Sequence, residues 1–175
     1  MIAVEVDVVT KALAGDEYAL DSLLRPLLGP AYSLAYMMLH DRDLAEDAVQ
    51  EAALKSWRKL SELRAGSDPR PWFLGFVANE CRNMRRSRWR SVIRLGTRDD
   101  LAAVPPSGGD PDLRRALAGL SDPDRIVVLL HYYLDMSMED IAIATRSSPS
   151  AVRSRLYRAV KRLRPNLTME EVHRG

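Results

Sequence analysis

One cysteine and three histidines are all that a chain of 175 residues holds of those two types. Cys81 alone cannot form an internal disulfide, and His40, His131 and His173 are too scattered to make a ligand cluster at metal spacing, so no metal is expected. The single thiol reads as a small buried hydrophobe. Long apolar runs are also missing: nothing approaches the roughly 20 residues of a membrane-spanning helix. The stretch MIAVEVDVVTKAL carries acids and lacks the succession of basic, apolar and small residues of a secretory signal. A cytoplasmic protein that makes no use of a membrane is the expectation. A phosphate-binding glycine loop, an HExxH pair and a nucleophile elbow are absent as well, which argues against an enzyme and against a cofactor.

Net charge is scarce too, at +2, but it is unevenly spread. Seven arginines and no acid lie between Arg82 and Arg98, and seven bases and no acid between Arg146 and Arg164, together 14 of the 26 bases. Both blocks interleave with apolar residues at helical spacing, so each reads as a folded basic face with the footprint of a polyanion. Between them, RDDLAAVPPSGGDPDL breaks all periodicity with Pro105, Pro106, Gly108 and Gly109 and reads as a linker. Asp110 and Pro111 then form a helix start. No run of alternating or β-branched residues with hairpin turns competes with the helical pattern. The expected fold is all-α: two helical domains joined by a flexible linker, the C-terminal one a helix-turn-helix. Helices are expected near residues 6–14, 17–39, 44–63 and 71–90, the second kinked or divided at Pro26 and Gly29-Pro30. In the second half they are expected near 111–119, 123–134, 137–145 and 149–163.

Three segments carry candidate function. In AEDAVQEAALKSWRKL, Asp47, Gln50, Glu51, Leu54 and Arg58 fall on one side. Ala45, Ala48, Val49, Ala52, Ala53, Trp57 and Leu60 fall on the other, as core. The polar side is either a partner surface or a solvated face suited to the helix macrodipole. In PWFLGFVANECRNMRRSRWR, aromatics mix with cations. Trp72 and Phe76 read as core, while Asn79, Arg82, Arg85, Arg86 and Arg88 are candidates for bases and phosphates. In SMEDIAIATRSSPSAVRSRLYRAVKRLR, Ser137 with Glu139 and Asp140 starts a short helix. Ser148-Pro149 starts a second, with Val152, Leu156, Val160 and Leu163 as its buried stripe. Ser150, Arg153, Ser154, Arg155 and Arg158 are left outward, the geometry of a recognition helix for the DNA major groove.

In order and spacing these segments resemble the sigma factors of bacterial RNA polymerase, in the small extracytoplasmic-function (ECF) group. AEDAVQEAALKSWRKL resembles that group's polymerase-binding helix, commonly AEDLVQEVFLRVW. PWFLGFVANECRNMRRSR resembles its promoter-melting helix. LRRALAGLSDPDRIVVLLHYYLDMSMEDIA together with AVRSRLYRAVKRLR resembles its C-terminal promoter-binding domain. The resemblance implies a region 2-like domain over residues 1–95, a linker over 96–110 and a region 4-like domain over 111–175. It implies core RNA polymerase as a partner of Asp47, Gln50, Glu51 and Arg58, and an anti-sigma factor as a further partner. The loop from Leu63 and Arg64 to Pro69 would cradle a base flipped from the minus-ten element, with Asn79, Arg82, Arg85, Arg86 and Arg88 along that strand of promoter DNA. Ser150, Arg153, Ser154, Arg155 and Arg158 would face the minus-thirty-five element. Where the family's turn often reads LGIS, this chain has Thr145, Arg146, Ser147 and Ser148. The residues by themselves also admit a free-standing helix-turn-helix regulator, or a sigma-mimicking adaptor that does not touch DNA.

Overall fold

The structure, a computed structural model, describes the backbone of residues 2–64, 66–95 and 111–167, and side chains over 8–64, 66–88, 113 and 115–163. The expected linker over 96–110 and the segment after 167 lie outside the described residues. Nine α-helices are described: α1 Ile2–Leu13, α2 Glu17–Leu24, α3 Leu28–Leu39, α4 Arg42–Arg58, α5 Pro69–Leu95, α6 Pro111–Ala118, α7 Asp122–Val128, α8 Met138–Thr145 and α9 Pro149–Leu167. Among the described residues there is no strand.

Local chemistry sets most of the boundaries. Asp16 starts α2 by accepting hydrogen bonds from the amides of Tyr18 at 2.9 Å and Ala19 at 3.2 Å. Asp41 starts α4 by accepting from Leu44 at 3.1 Å, and Ser121 caps α7 through the amide of Asp124. Each satisfies donors that the first turn of a helix leaves orphaned. The division expected at Pro26 takes the form of a single 3-10 turn, Arg25–Leu27, between α2 and α3. Helix α7 runs on into a π-helical turn, Leu129–Tyr133.

In the first half, α3, α4 and α5 pack around Leu34, Met38, Phe73, Leu74 and Val77, all essentially without solvent exposure. The side of α4 that meets them is Ala45, Ala48, Ala52 and Ser56, all buried. Small side chains allow the neighbouring helices to approach closely, so bulk comes from α3 and α5 rather than α4. Val9, Ala12, Ala19, Leu23, Leu60 and Leu63 form a second apolar cluster beneath α1 and α2.

In the second half a charged residue lies at the centre. Arg125 is 1% exposed and donates from Nε to the Leu117 carbonyl at 2.8 Å, and from Nη2 to Ala118 at 2.8 Å and Leu120 at 3.1 Å. It therefore fills the carbonyl valences at the end of α6, where a cation also meets the negative end of the helix dipole. The two halves touch directly. Helix α5 packs on α8, the Arg70 guanidinium donates to the Leu134 carbonyl, and Arg85 pairs with Asp122 at 3.2 Å.

The turn between α8 and α9 places Arg146 at the C-cap of α8 with φ 50° and ψ 48°, the left-handed region. A Cβ in that region costs about 1 kcal/mol, so Arg146→Gly should stabilise the chain and raise its melting temperature by about 2–4 °C. Thermal unfolding followed by circular dichroism checks this; an unchanged or lower value would mean that the Arg146 side chain offsets the strain through its pairing with Glu62.

Candidate nucleic-acid and partner interfaces

Helix α4 carries the first surface. Asp47, Gln50, Leu54 and Arg58 are exposed and Glu51 half-exposed, on the side opposite the small-residue stripe. Trp57 departs from expectation, being 55% exposed rather than core. The reason is angular: Trp57 follows Gln50 by seven residues, two helical turns, and so points the same way. The buried stripe ends instead at Ser56, whose hydroxyl donates to the Ala53 carbonyl at 2.8 Å. Leu54 and Trp57 thus give a polar face an apolar centre. Behind it, the Lys55 ammonium donates to Glu80 Oε2 at 2.8 Å and lies 3.3 Å from Glu51. Glu80 is only 4% exposed, and its Oε1 has no hydrogen-bond partner. The hydrogen bond to Glu80 raises the Lys55 pKa above its ordinary 10.5, with burial opposing and Glu51 assisting.

Helix α5 sorts the expected DNA-binding residues onto different sides. Asn79, Arg82 and Arg86 share one face by helical spacing, with Asn79 and Arg86 exposed. Arg85 and Arg88 turn elsewhere. Arg85 Nη1 donates to the Met38 carbonyl at 3.3 Å and pairs with Asp122, while Arg88 lies 4.0 Å from Asp41. Leu63 also corrects the expectation. At 4% exposure it belongs to the second apolar cluster and supports the loop from below, leaving Arg64 exposed on it. Trp72 and Phe76 form the expected pair, edge to face at 5.2 Å and 84°, but are half-buried at the rim of the core. Cys81 is buried, and burial pushes its pKa up to about 12, so it stays a packed thiol.

Helix α9 starts as expected, with Ser148 Oγ accepting from the Ala151 amide at 3.2 Å. Val152, Leu156 and Leu163 of the expected stripe are buried, but Ala159 takes the place expected of Val160, which is half-buried at the edge of the stripe. Ser150, Arg153, Ser154 and Arg158 are exposed. Arg155 differs: it is half-buried, with Nε 3.7 Å from Asp124, a carboxylate that Arg162 also approaches at 3.7 Å. Tyr157, which sequence reasoning passed over, is 71% exposed and stands one turn beyond Arg153 on the same outward face. A four-residue step from Arg153 was the signal for it.

A cleft of about 630 Å³ opens where the halves meet, lined by Lys55, Asn79 and Arg82 from one and by Ile143, Arg146 and Arg155 from the other. Among the described residues no cluster of His, Cys, Asp or Glu could hold a metal ion, and no helix is long and apolar enough to cross a membrane.

These surfaces fall within two known sequence families in the same order. Sigma-70 region 2 matches residues 23–91 and sigma-70 region 4 matches residues 111–163. The ECF RNA polymerase sigma factor SigL of Mycobacterium tuberculosis is 32% identical over 150 residues, spanning 79% of this chain and 81% of its own length. The sigma factor CarQ of Myxococcus xanthus is 32% identical over 134 residues, spanning 73% of this chain and 76% of its own. The chain belongs to the ECF sigma factors. Among solved structures, the sigma factor RpoE from Bartonella quintana, crystallised with the anti-sigma factor NepR, is similar with a TM-score of 0.69 at 28% identity. That match covers 84% of this chain and 95% of RpoE. CnrH, solved with the cytosolic domain of CnrY, has the same fold, with a TM-score of 0.69 at 21% identity.

In this sigma factor, the Lys55–Glu80 contact supports the α4 face from behind. Lys55→Met leaves a buried carboxylate without its donor and should cost about 1–3 kcal/mol in urea unfolding, and Lys55→Met with Glu80→Leu should recover much of it. Because the Lys55 pKa is raised on folding, the stability it contributes is fully present below 10.5 and is lost as pH climbs through the raised value. The alkaline limb of the stability curve should accordingly be shallower in Lys55→Met than in the parent.

Proposed function

We propose that this sigma factor, which directs RNA polymerase to promoters, engages the core enzyme through α4 and promoter DNA through two separate faces on α5 and α9. The observation that carries the reading is the recognition geometry of α9. A left-handed turn and a serine cap deliver a helix whose exposed face holds Ser150, Arg153, Ser154, Tyr157 and Arg158. Arginines near the N-terminus of such a helix suit bidentate contact with guanine, and the hydroxyls suit phosphate. On this reading residues 111–175 form the upstream-element domain, 96–110 the linker, and 1–95 the domain for the core enzyme and the minus-ten element.

On α4 the acids and Gln50 surround Leu54 and Trp57, an aromatic anchor with a polar rim, which is how protein interfaces concentrate their binding energy. On α5, Asn79 suits a base edge, and Arg82 and Arg86 on its face suit the phosphates of a melted strand, joined by Arg64 from the loop before it. Bases held out of the stack bind only the open state, so such contacts favour opening. The protein acts in the cytoplasm and carries out no catalysis. RpoE was solved with an anti-sigma factor, and we extend that class of partner to this chain.

Asp47→Lys combined with Glu51→Lys, and separately Trp57→Ala, should abolish or strongly weaken association with core polymerase in a pull-down while leaving the helical circular dichroism signal intact. Unchanged association in both would remove α4 as the docking face. On promoter DNA, Arg153→Ala should cost about 1–3 kcal/mol at one base position if it reads a base. If Arg153 instead holds a phosphate, the change should weaken every sequence alike and lower the salt slope by about one. Asn79→Ala should impair open-complex formation more than closed binding, with partial rescue on a template opened in advance around the minus-ten element; equal loss on both templates would count against base capture.

A further inference from the structure

Helix α9 has two flanks as well as an outward face. Residues two apart in a helix stand about 200° from one another around its axis, so Arg155 lies across the helix from Arg153. Arg162 follows Arg155 by two turns and falls on the same flank, about 10 Å further along the axis. An acid from another helix meets both. Asp124 of α7 places Oδ1 3.7 Å from Arg155 Nε and Oδ2 3.7 Å from Arg162 Nη1. Its side chain is 12% exposed, so the carboxylate is held out of water at a cost that these two cations offset. The backbone beneath it is fixed as well, because Arg125, the next residue, is bonded to the carbonyls at the end of α6.

Two cations and one acid leave this flank with a net charge of +1. Both contacts are longer than a hydrogen bond, so the guanidinium N–H donors are left for another acceptor. Groove geometry says which acceptor a flank meets. The major groove is about 12 Å wide and a helix with its side chains about 10–12 Å across, so the outward face meets base edges while the flanks pass the two phosphate backbones.

We infer that Arg155 and Arg162 form a phosphate-binding edge of α9, and that Asp124 is the positioning residue that sets it, acting on DNA only through those two side chains. This rests on the reading of α9 as the helix that enters promoter DNA. Arg155 then contacts the backbone rather than a base, and Arg162 joins the interface. A guanidinium already held in place loses less freedom on binding than a free one, so the shared carboxylate exchanges part of the positive charge for pre-organisation.

The test uses the full chain assembled with core polymerase, on a promoter duplex from which that holoenzyme starts transcription, with filter binding across a salt series. Arg155→Ala and Arg162→Ala should each weaken binding about three- to tenfold and lower the salt slope by about one. The same loss should appear on duplexes carrying single-base changes in the minus-thirty-five element. Asp124→Asn should weaken binding about threefold, Asp124→Glu should recover it, and Asp124→Asn should have no effect once Arg155 and Arg162 are both alanine. Circular dichroism melts check that each variant is folded; Arg162, at 63% exposure, can be removed without loss of the fold even if Asp124→Asn cannot. A loss in Arg155→Ala or Arg162→Ala confined to one base position would overturn the phosphate edge. Tighter binding by Asp124→Asn, or a loss that persists without the two arginines, would overturn the positioning role. If Arg153→Ala weakens binding while Arg155→Ala and Arg162→Ala do not, the edge is overturned and the reading of α9 stands; if none of the three changes binding, that reading falls too.

Discussion

Close approach between helix backbones is the constraint on which the rest of this molecule depends. Along α4 the buried positions are Ala45, Ala48, Ala52 and Ser56, none large enough to hold its neighbours away. In α5 the equivalent position facing α8 is a glycine. A helix with a thin inner side must find its apolar bulk elsewhere, and Phe73, Leu74 and Val77 of α5 with Leu34 and Met38 of α3 supply it. The outer side of α4 is then free of the core, and its exposed residues are not needed for packing.

Charge is managed by the same economy of contacts. Asp124 faces both Arg155 and Arg162, Glu62 faces Lys59 and Arg146, and Glu80 takes the Lys55 ammonium. The Lys59 hydrogen bond, with Arg146 nearby, holds the Glu62 carboxyl below its ordinary range. Several cations that the basic blocks appear to offer to DNA are thus neutralised within the fold. Of the arginines assigned to DNA from the sequence, Arg64, Arg86, Arg153 and Arg158 are exposed, a narrower footprint than the number of arginines suggests.

Features written in short-range chemistry were legible before any coordinates. The serine at position 137, the Ser148-Pro149 start and the apolar stripe of α9 each act within one or two helical turns, so the helix-turn-helix could be read with its outward residues. The polar side of α4 was legible for the same reason. Trp57 reads as core by residue type, whereas its helical angle, two turns on from Gln50, puts it on the polar side. Leu63 and Arg155 depend on partners far away in sequence, the α1–α2 cluster and Asp124, which no local pattern announces. The contact between halves was hidden most deeply, since a linker rich in proline and glycine says only that two units are joined, and nothing about whether they touch.

Arg125 sets a limit on how the second half can be divided. Its guanidinium is solvated by the carbonyls of Leu117, Ala118 and Leu120 instead of water, and those carbonyls exist in the right place only when α6 has formed. A fragment beginning after Gly119 would retain both helices of the DNA-reading motif yet leave a buried cation with the Leu120 carbonyl alone of its three acceptors, at a cost of several kcal/mol. The smallest portable unit is therefore the four-helix assembly and not the two-helix motif, and any transplantation of this promoter specificity onto another scaffold has to carry α6 with it.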